Sequence, residues 1–290
     1  MSNGELIGLT ELLKDACEKR YAMGAFNFCN AETAQAVVEA ASALRSPVIM
    51  MIGPMEIPLL GVRAAVDVAK SAAREAGVPV CLHLDHAYEY ELVAECVEAG
   101  FPSVMIDASR MTFEDNIRLT TRVVEIARAK GVDVEAELGA VGRVDDSVVE
   151  GGNATSLTSP AEAAEFCERT GVDALAVAIG NAHGVYTRRP ELDFDRLQAI
   201  RDATSAPLVL HGGSGTPLEQ LRRAIEIGVS KVNVASELSR AYLTAVEKAV
   251  ANGNGKTWYA QALIEAKAAF AAVVADWMNK LGSAGRFLGS

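Results

Sequence analysis

The chain has 290 residues, half of them hydrophobic, with 27 Lys and Arg against 38 Asp and Glu for a formal net charge of -11. An acidic balance of this size argues against nucleic acid or anionic membrane as the partner. No apolar stretch approaches the roughly 20 residues that a membrane span needs, and the length suits one large α/β barrel or two smaller domains.

The N-terminal MSNGELIGLTELLKDACEKR carries acids early and has no basic start followed by an apolar run, so it does not read as a secretory signal. Five cysteines (Cys17, Cys29, Cys81, Cys96 and Cys167) form no CxxC pair. Reduced core thiols and a cytoplasmic setting are therefore expected.

Along the chain, short runs rich in Val, Ile and Leu alternate with amphipathic stretches. The first strand is expected at 24–28 (GAFNF), the second at 47–52 and the third at 78–85 (VPVCLHLD). The series continues with 103–109 (SVMIDAS), 133–139 (DVEAELG), 174–180 (ALAVAIG), 207–212 (PLVLHG) and 231–235 (KVNVA). Helices are expected between them, as at 58–76, 113–130 and 193–203, where Phe194, Leu197 and Ile200 recur at three-residue spacing. Strands that alternate with helices form a parallel sheet, and eight such units favour a closed (β/α)8 TIM barrel in a single α/β domain. The doubly wound alternative lacks its signature, because no GxGxxG follows the first strand. A helical extension from about 258 to the C-terminus exceeds what eight units need; it could cover the barrel or reach a partner subunit.

Only 140–159 and 181–192 are long and non-periodic, and both follow strands, on the face where barrels keep their active sites. Of four histidines, His86, His183 and His211 fall at or just beyond the ends of strands three, six and seven, while His83 lies within strand three. Barrel closure brings such ends around one cavity, where three neutral imidazoles could hold a zinc ion with an open position. Asp85, Asp107 and Glu137 share that face and suggest a proton-transfer group and partners for the ligands. His211-Gly212-Gly213-Ser214-Gly215 follows strand seven, and Asn233-Val234-Ala235-Ser236 ends strand eight, where barrels commonly cradle phosphate. A Schiff-base aldolase would need a lysine in the cavity. Lys231 opens strand eight at the end away from the mouth, so a metal is expected to do the electrophilic work.

At these residues the sequence resembles the class II, zinc-dependent ketose-bisphosphate aldolases, the fructose- and tagatose-bisphosphate enzymes. The segments that carry the resemblance are GAFNF, HLDH, SVMIDAS, VEAELG, GVDALAVAIGNAHGVY, LVLHGGSG, KVNVASEL and GSAGR, in order along nearly the whole chain. The resemblance implies that His86, His183 and His211 are zinc ligands, with Asp107 and Glu137 as acids able to hold zinc in an alternative position. It implies Asp85 as the acid/base residue and Asn27 as a substrate-facing asparagine. Gly184, Gly212, Gly213, Ser214, Asn233 and Ser236 match the dihydroxyacetone-phosphate pocket, with a monovalent cation, Na+ or K+, near the glycine-rich loop. Asp85 would remove the C4 hydroxyl proton, zinc and Asn233 would hold the enediolate, and a loop acid would protonate C3. Family members are generally homodimers or homotetramers acting on a small phosphorylated sugar.

Three departures stand out. Where relatives carry a loop glutamate this chain has Arg143-Val144-Asp145-Asp146, which leaves Asp145 for that role. After strand two, Met50-Met51-Ile52-Gly53-Pro54 lacks the serine or threonine that relatives place near the acceptor phosphate. Lys256 stands where relatives place a phosphate-gripping arginine, and lysine is the poorer bidentate clamp. Two rival substrates and roles follow. One is a monophosphorylated keto sugar or keto acid, gripped by Arg143, Arg188, Arg189 or Lys256. The other is a non-catalytic barrel subunit, which would be expected to lose metal ligands; a metal-dependent hydrolase fits the paired phosphate loops less well still.

Overall fold

All eight expected strands form, and they pair in parallel. The computed structural model describes residues 5–143, 157–184, 186 and 189–287. In chain order the strands are β1 (Met23–Asn27), β2 (Val48–Ile52), β3 (Val80–Ala87), β4 (Ser103–Ile106), β5 (Asp133–Leu138), β6 (Gly142–Arg143), β7 (Ala174–Val177), β8 (Ala182–His183), β9 (Leu208–Leu210) and β10 (Val229–Val234). Eight of them close a barrel in the order β1-β10-β9-β7-β5-β4-β3-β2, while the two-residue β6 and β8 pair with each other. That short pairing lies inside the two segments expected to be irregular loops, and it fastens one to the other.

The helices are α1 (Leu9–Lys19), α2 (Ala31–Ala43), α3 (Ile57–Leu60), α4 (Val62–Ala76), α5 (Tyr90–Ala99), α6 (Phe113–Arg128), α7 (Pro160–Thr170), α8 (Phe194–Ala203), α9 (Leu218–Ile227), α10 (Ser236–Asn252) and α11 (Tyr259–Leu281). Their logic is local as well as tertiary. In α6, Thr112 caps the amide of Asp115, two acids sit in the first turn, and Ile117, Thr120, Val124 and Ala127 turn inward. The single helix expected at 58–76 is two, because the backbone at Gly61 leaves the helical region (φ 85°).

Strands such as β2 (VIMMI) are buried on both faces, as helix-covered parallel strands must be. One face meets the helices and the other fills the barrel. Inside, Met23, Ala25, Ile49, Met51, Cys81, Ala174, Ala176 and Val209 form a layer against Leu9, Leu12, Leu13 and Ala16 of α1. The amide and hydroxyl of Thr10 both donate to Asp133 at the start of β5, at 2.8 and 2.9 Å. Helix α1 thus plugs the N-terminal end of the barrel and leaves the opposite end as its mouth.

The C-terminal extension packs α11 on α2 and α10, burying Ala262, Ala266, Phe270, Val274, Trp277 and Leu281 at spacings of three to four residues. Around α10 and the start of α11, Leu243, Val250, Trp258, Tyr259 and Ile264 remain exposed. All five cysteines are free, and no helix among the described residues is long and apolar enough to cross a membrane.

Leu13 is fully buried in the plug. Leu13→Ala is expected to lower unfolding free energy by about 2–5 kcal/mol in a urea titration. A loss well below about 1 kcal/mol would contradict the plug as part of the core.

Candidate active site

A strand's side chains alternate, so residues two apart share the interior face. That rule stacks polar residues in two levels. His83, Glu135 and Lys231 form the lower level, and Asp85, Glu137, Asn233 and His211 stand nearer the mouth. Lys231 corrects the sequence expectation. It is the third residue of β10, not the first, and it is fully buried inside the barrel rather than at its far end. Its Nζ lies 2.9 Å from Glu135 Oε2 and donates to Asn233 Oδ1 at 2.7 Å. Lys231 and the nearby positive groups hold the Glu135 carboxyl well below its usual range, against the opposing effect of burial. His83 Nδ1 is 2.7 Å from Ser103 Oγ, and burial first, then Lys231, pushes its pKa down to about 3.

At the mouth, Asp85 accepts from two amides, Asn27 Nδ2 at 3.2 Å and Asn233 Nδ2 at 3.0 Å. Burial would raise its pKa, but the imidazoles of His86 and His211 and the Lys231 ammonium outweigh it and hold the carboxyl low. Asp85 is therefore ionised at neutral pH.

His86 follows Asp85 directly and would point outward in a regular strand. The register of β3 against β4 slips between Leu84 and Ala87, and His86 itself adopts φ 45°. This bulge turns two consecutive side chains toward one cavity. Asp107 sits behind His86 rather than beside the other rings. Its Oδ2 accepts from His86 Nδ1 at 2.9 Å, and Ser109 binds its other oxygen. Burial would raise the Asp107 carboxyl, but the His86 hydrogen bond keeps it far below its usual range, so Nδ1 carries the proton. The buried Nε2 of His86 has no hydrogen-bond partner.

His183 and His211 complete the group. Ring centroids lie 4.8 Å apart for His86 and His183, and 4.4 Å for His86 and His211. One ligand atom from each of His86, Glu137, His183 and His211 falls within 4.8 Å of all the others. Four ligands at the 2.0–2.1 Å of a tetrahedral zinc site lie about 3.4 Å apart, so small side-chain adjustments suffice. Burial, then the positive charge of His86 and His211, pushes His183 down to about 3, which keeps it neutral. His211 is the opposite case. It donates from Nδ1 to Glu137 Oε2 at 2.9 Å and from Nε2 to Glu135 Oε1 at 2.8 Å. Against burial, these two bonds raise its pKa to about 10. The orphaned Nε2 of His86, a neutral His183 and the nearby Glu137 fit a divalent metal, provided that His211 releases a proton as the metal binds.

The glycine-rich loop follows β9. At Gly212 (φ 66°) a Cβ would lie 2.0 Å from the carbonyl oxygen of Ala182, so no other residue fits. Tyr186 Oη accepts from the Ala182 amide at 2.8 Å, and Asn181 Nδ2 donates to the His211 carbonyl at 3.0 Å. A cleft of about 40 Å³ is lined by Asn27, Asp85, His86, His183, Gly184, Gly212, Ser214, Asn233, Ala235 and Ser236. Gly213 is not in that lining, and its amide is bonded to the Asn233 carbonyl at 3.0 Å. Ser236 begins α10, so a helix N-terminus opens on the cleft.

Beyond Asn27 and Ser236 runs a larger groove of about 690 Å³, whose lining includes Glu56, Arg240 and Glu247. Of the acceptor-side candidates, Lys256 is exposed and lines neither space. Arg189 pairs with Glu219 at the surface. The backbone of Arg143 belongs to β6, while Asp145 and Arg188 lie outside the described residues. Sequence reasoning overlooked Glu135 and Asn181 and placed Lys231 at the wrong depth. Glu135 and Glu137 stand two apart in VEAELG, a signal that both face inward; Asn181 has no such signal.

Comparison with known proteins agrees with this geometry. Residues 7–286 match the family described as Fructose-bisphosphate aldolase class-II. A fructose-bisphosphate aldolase from Geobacillus stearothermophilus is 41% identical over 284 residues, covering 97% of this chain and 98% of that one. The crystal structure of the YdjI aldolase from Escherichia coli K12 superposes with a TM-score of 0.85 at 35% identity, covering 97% of this chain and 99% of that one. A fructose-bisphosphate aldolase from Campylobacter jejuni, at 24% identity, shares the fold with a TM-score of 0.81 over 98% of this chain and 96% of its own. Members of the matched family use a divalent metal and act on phosphorylated sugars. The chain belongs to the class II fructose-bisphosphate aldolase family and is a lyase.

Proposed function

We propose that the protein is a zinc-dependent aldolase that reversibly cleaves a ketose 1,6-bisphosphate, of the fructose or tagatose type, to dihydroxyacetone phosphate and glyceraldehyde 3-phosphate. The observation that carries this reading is the convergence of His86, His183, His211 and Glu137 beside an ionised Asp85. These four residues would hold the metal, and three imidazoles suit zinc. When bound, the metal supplies a Lewis acid at the donor carbonyl.

The chain's own residues do the rest. Asp85 takes the C4 hydroxyl proton as the C3–C4 bond breaks and the C4 aldehyde forms. The bond's electrons stay on the three-carbon fragment, and the Asn233 amide donates to the oxygen where charge develops. Asp145 is assigned the return of a proton to C3. Gly184, Gly212, Ser214 and Ser236, which line the cleft, hold the donor phosphate together with the N-terminus of α10.

A second reading has its own support. Lys256 does not reach the groove beyond Asn27, and the Glu56 carboxylate lines it. Both features favour a monophosphorylated ketose with an uncharged aldehyde end. Purified protein is expected to release dihydroxyacetone phosphate from fructose- or tagatose-bisphosphate, and to stop when fully chelated. Asp85→Ala is expected to cut turnover by about 10²–10⁴-fold with metal content unchanged. Release that survives chelation, or normal turnover in the variant, would sink the mechanism. Faster cleavage of a ketose 1-phosphate than of either bisphosphate would establish the second reading.

The exposed Leu243, Val250, Trp258, Tyr259 and Ile264 on α10 and α11 support a homodimer or homotetramer formed through the C-terminal extension. Light scattering is expected to give two or four times the 30.6 kDa chain mass. A monomer at micromolar concentration would contradict it.

A further inference from the structure

Resting on the aldolase reading above, we propose that Lys231 is a positioning residue that acts through Asn233, fixing which end of its carboxamide faces Asp85. A carboxamide has a donor end and an acceptor end of nearly the same shape, so packing alone does not choose between its two orientations. Lys231 does choose. An ammonium only donates, and its Nζ lies 2.7 Å from Asn233 Oδ1. The carbonyl end is pinned toward the floor of the barrel, and Nδ2 points up to Asp85 Oδ1 at 3.0 Å. The reverse orientation would set NH2 against an ammonium and a carbonyl against a carboxylate. Both contacts are repulsive, in an interior where water screens neither.

The lysine is itself held in place. It is fully buried on β10 two residues from Asn233, and it stands 2.9 Å from Glu135, whose other oxygen accepts from His211 Nε2 at 2.8 Å. A continuous line of contacts therefore runs from Glu135 through Lys231 and Asn233 to Asp85. Once Asp85 has taken the C4 proton it no longer needs the Asn233 donor, which is then free for the oxygen gaining charge on the three-carbon fragment. The donor serves there only if it already points upward. Lys231 touches no reacting atom.

Lys231→Met keeps most of the stem and removes the donors. Turnover is expected to fall about 10²-fold, the weight of one preorganised donor, with KM within about threefold of the parent's. Asn233→Ala is expected to fall comparably. The double variant should fall little further, because losses routed through one group do not multiply. Melting temperature and bound zinc are read alongside, since a purely structural role would lower both and multiply with Asn233→Ala. Lys231→Met leaves Glu135 without its cation. Lys231→Met/Glu135→Gln, read against Glu135→Gln alone, therefore makes the same comparison with no orphaned charge. Turnover near the reference value in both comparisons, or multiplying losses in the double variant, would overturn the proposal. Wild-type protein that cleaves no ketose phosphate would overturn the aldolase reading instead. The positioning claim is then decided by hydrogen exchange at the Asn233 side-chain amide. Exchange at least about tenfold faster in Lys231→Met supports it, and unchanged exchange overturns it.

Discussion

Everything at the mouth of this barrel stands on an ion pair that water does not reach. Glu135 and Lys231 are fully buried, 2.9 Å apart, on strands from different parts of the chain. Two charges taken out of water are stable together only if each finds further partners. Their partners are the groups of the level above: Asn233 for the lysine and His211 for the glutamate. The burial of one pair thus fixes an amide beside Asp85 and a ring beside Glu137. Geometry at the site comes from the barrel interior more than from its loops, as a site that must hold positions within fractions of an ångström requires.

The same arrangement explains how a chain of net charge -11 can take an anionic substrate. Many of the acids are spent on exposed pairs, such as Glu114 and Glu165 with Arg169 or Glu39 with Lys267. In the cleft, the His211 imidazolium, the N-terminus of α10 and a metal bound by the four-residue group would offset the charges of Asp85 and Glu137. The surface charge gives little long-range steering to a phosphorylated sugar, so close contacts have to supply the affinity.

Much of this was legible in the sequence because period and position carry it. Eight apolar runs alternating with helical ones imply the barrel, and the histidines at strand ends imply convergence. What the sequence hid was set by tertiary register. Consecutive Asp85 and His86 share a cavity only because of a bulge in β3, which no residue pattern announces. Lys231 was misplaced because β10 begins two residues earlier than the apolar run suggests, and that shift decides how deep its side chain sits. The plug helix α1 was readable after all. Leu9, Leu12, Leu13 and Ala16 keep helical spacing and are buried. The short β6–β8 pairing inside the two long non-periodic segments was hidden for a similar reason, since it joins residues about forty apart.

The central claim is that His86, His183, His211 and Glu137 form one divalent-metal site, and its most direct test is the proton balance of metal uptake. His211 carries a proton up to about pH 10 between two carboxylates, while His183 is neutral above about pH 3. At pH 8, a metal that binds through His211 must therefore displace a proton, whereas binding through His183 displaces none. Zinc titrated calorimetrically into metal-free protein, in buffers of different ionisation heat, is expected to bind one ion per chain and release at least about one proton, with tight binding lost in His183→Ala. Uptake with no proton released, or binding unchanged in that variant, would contradict the site.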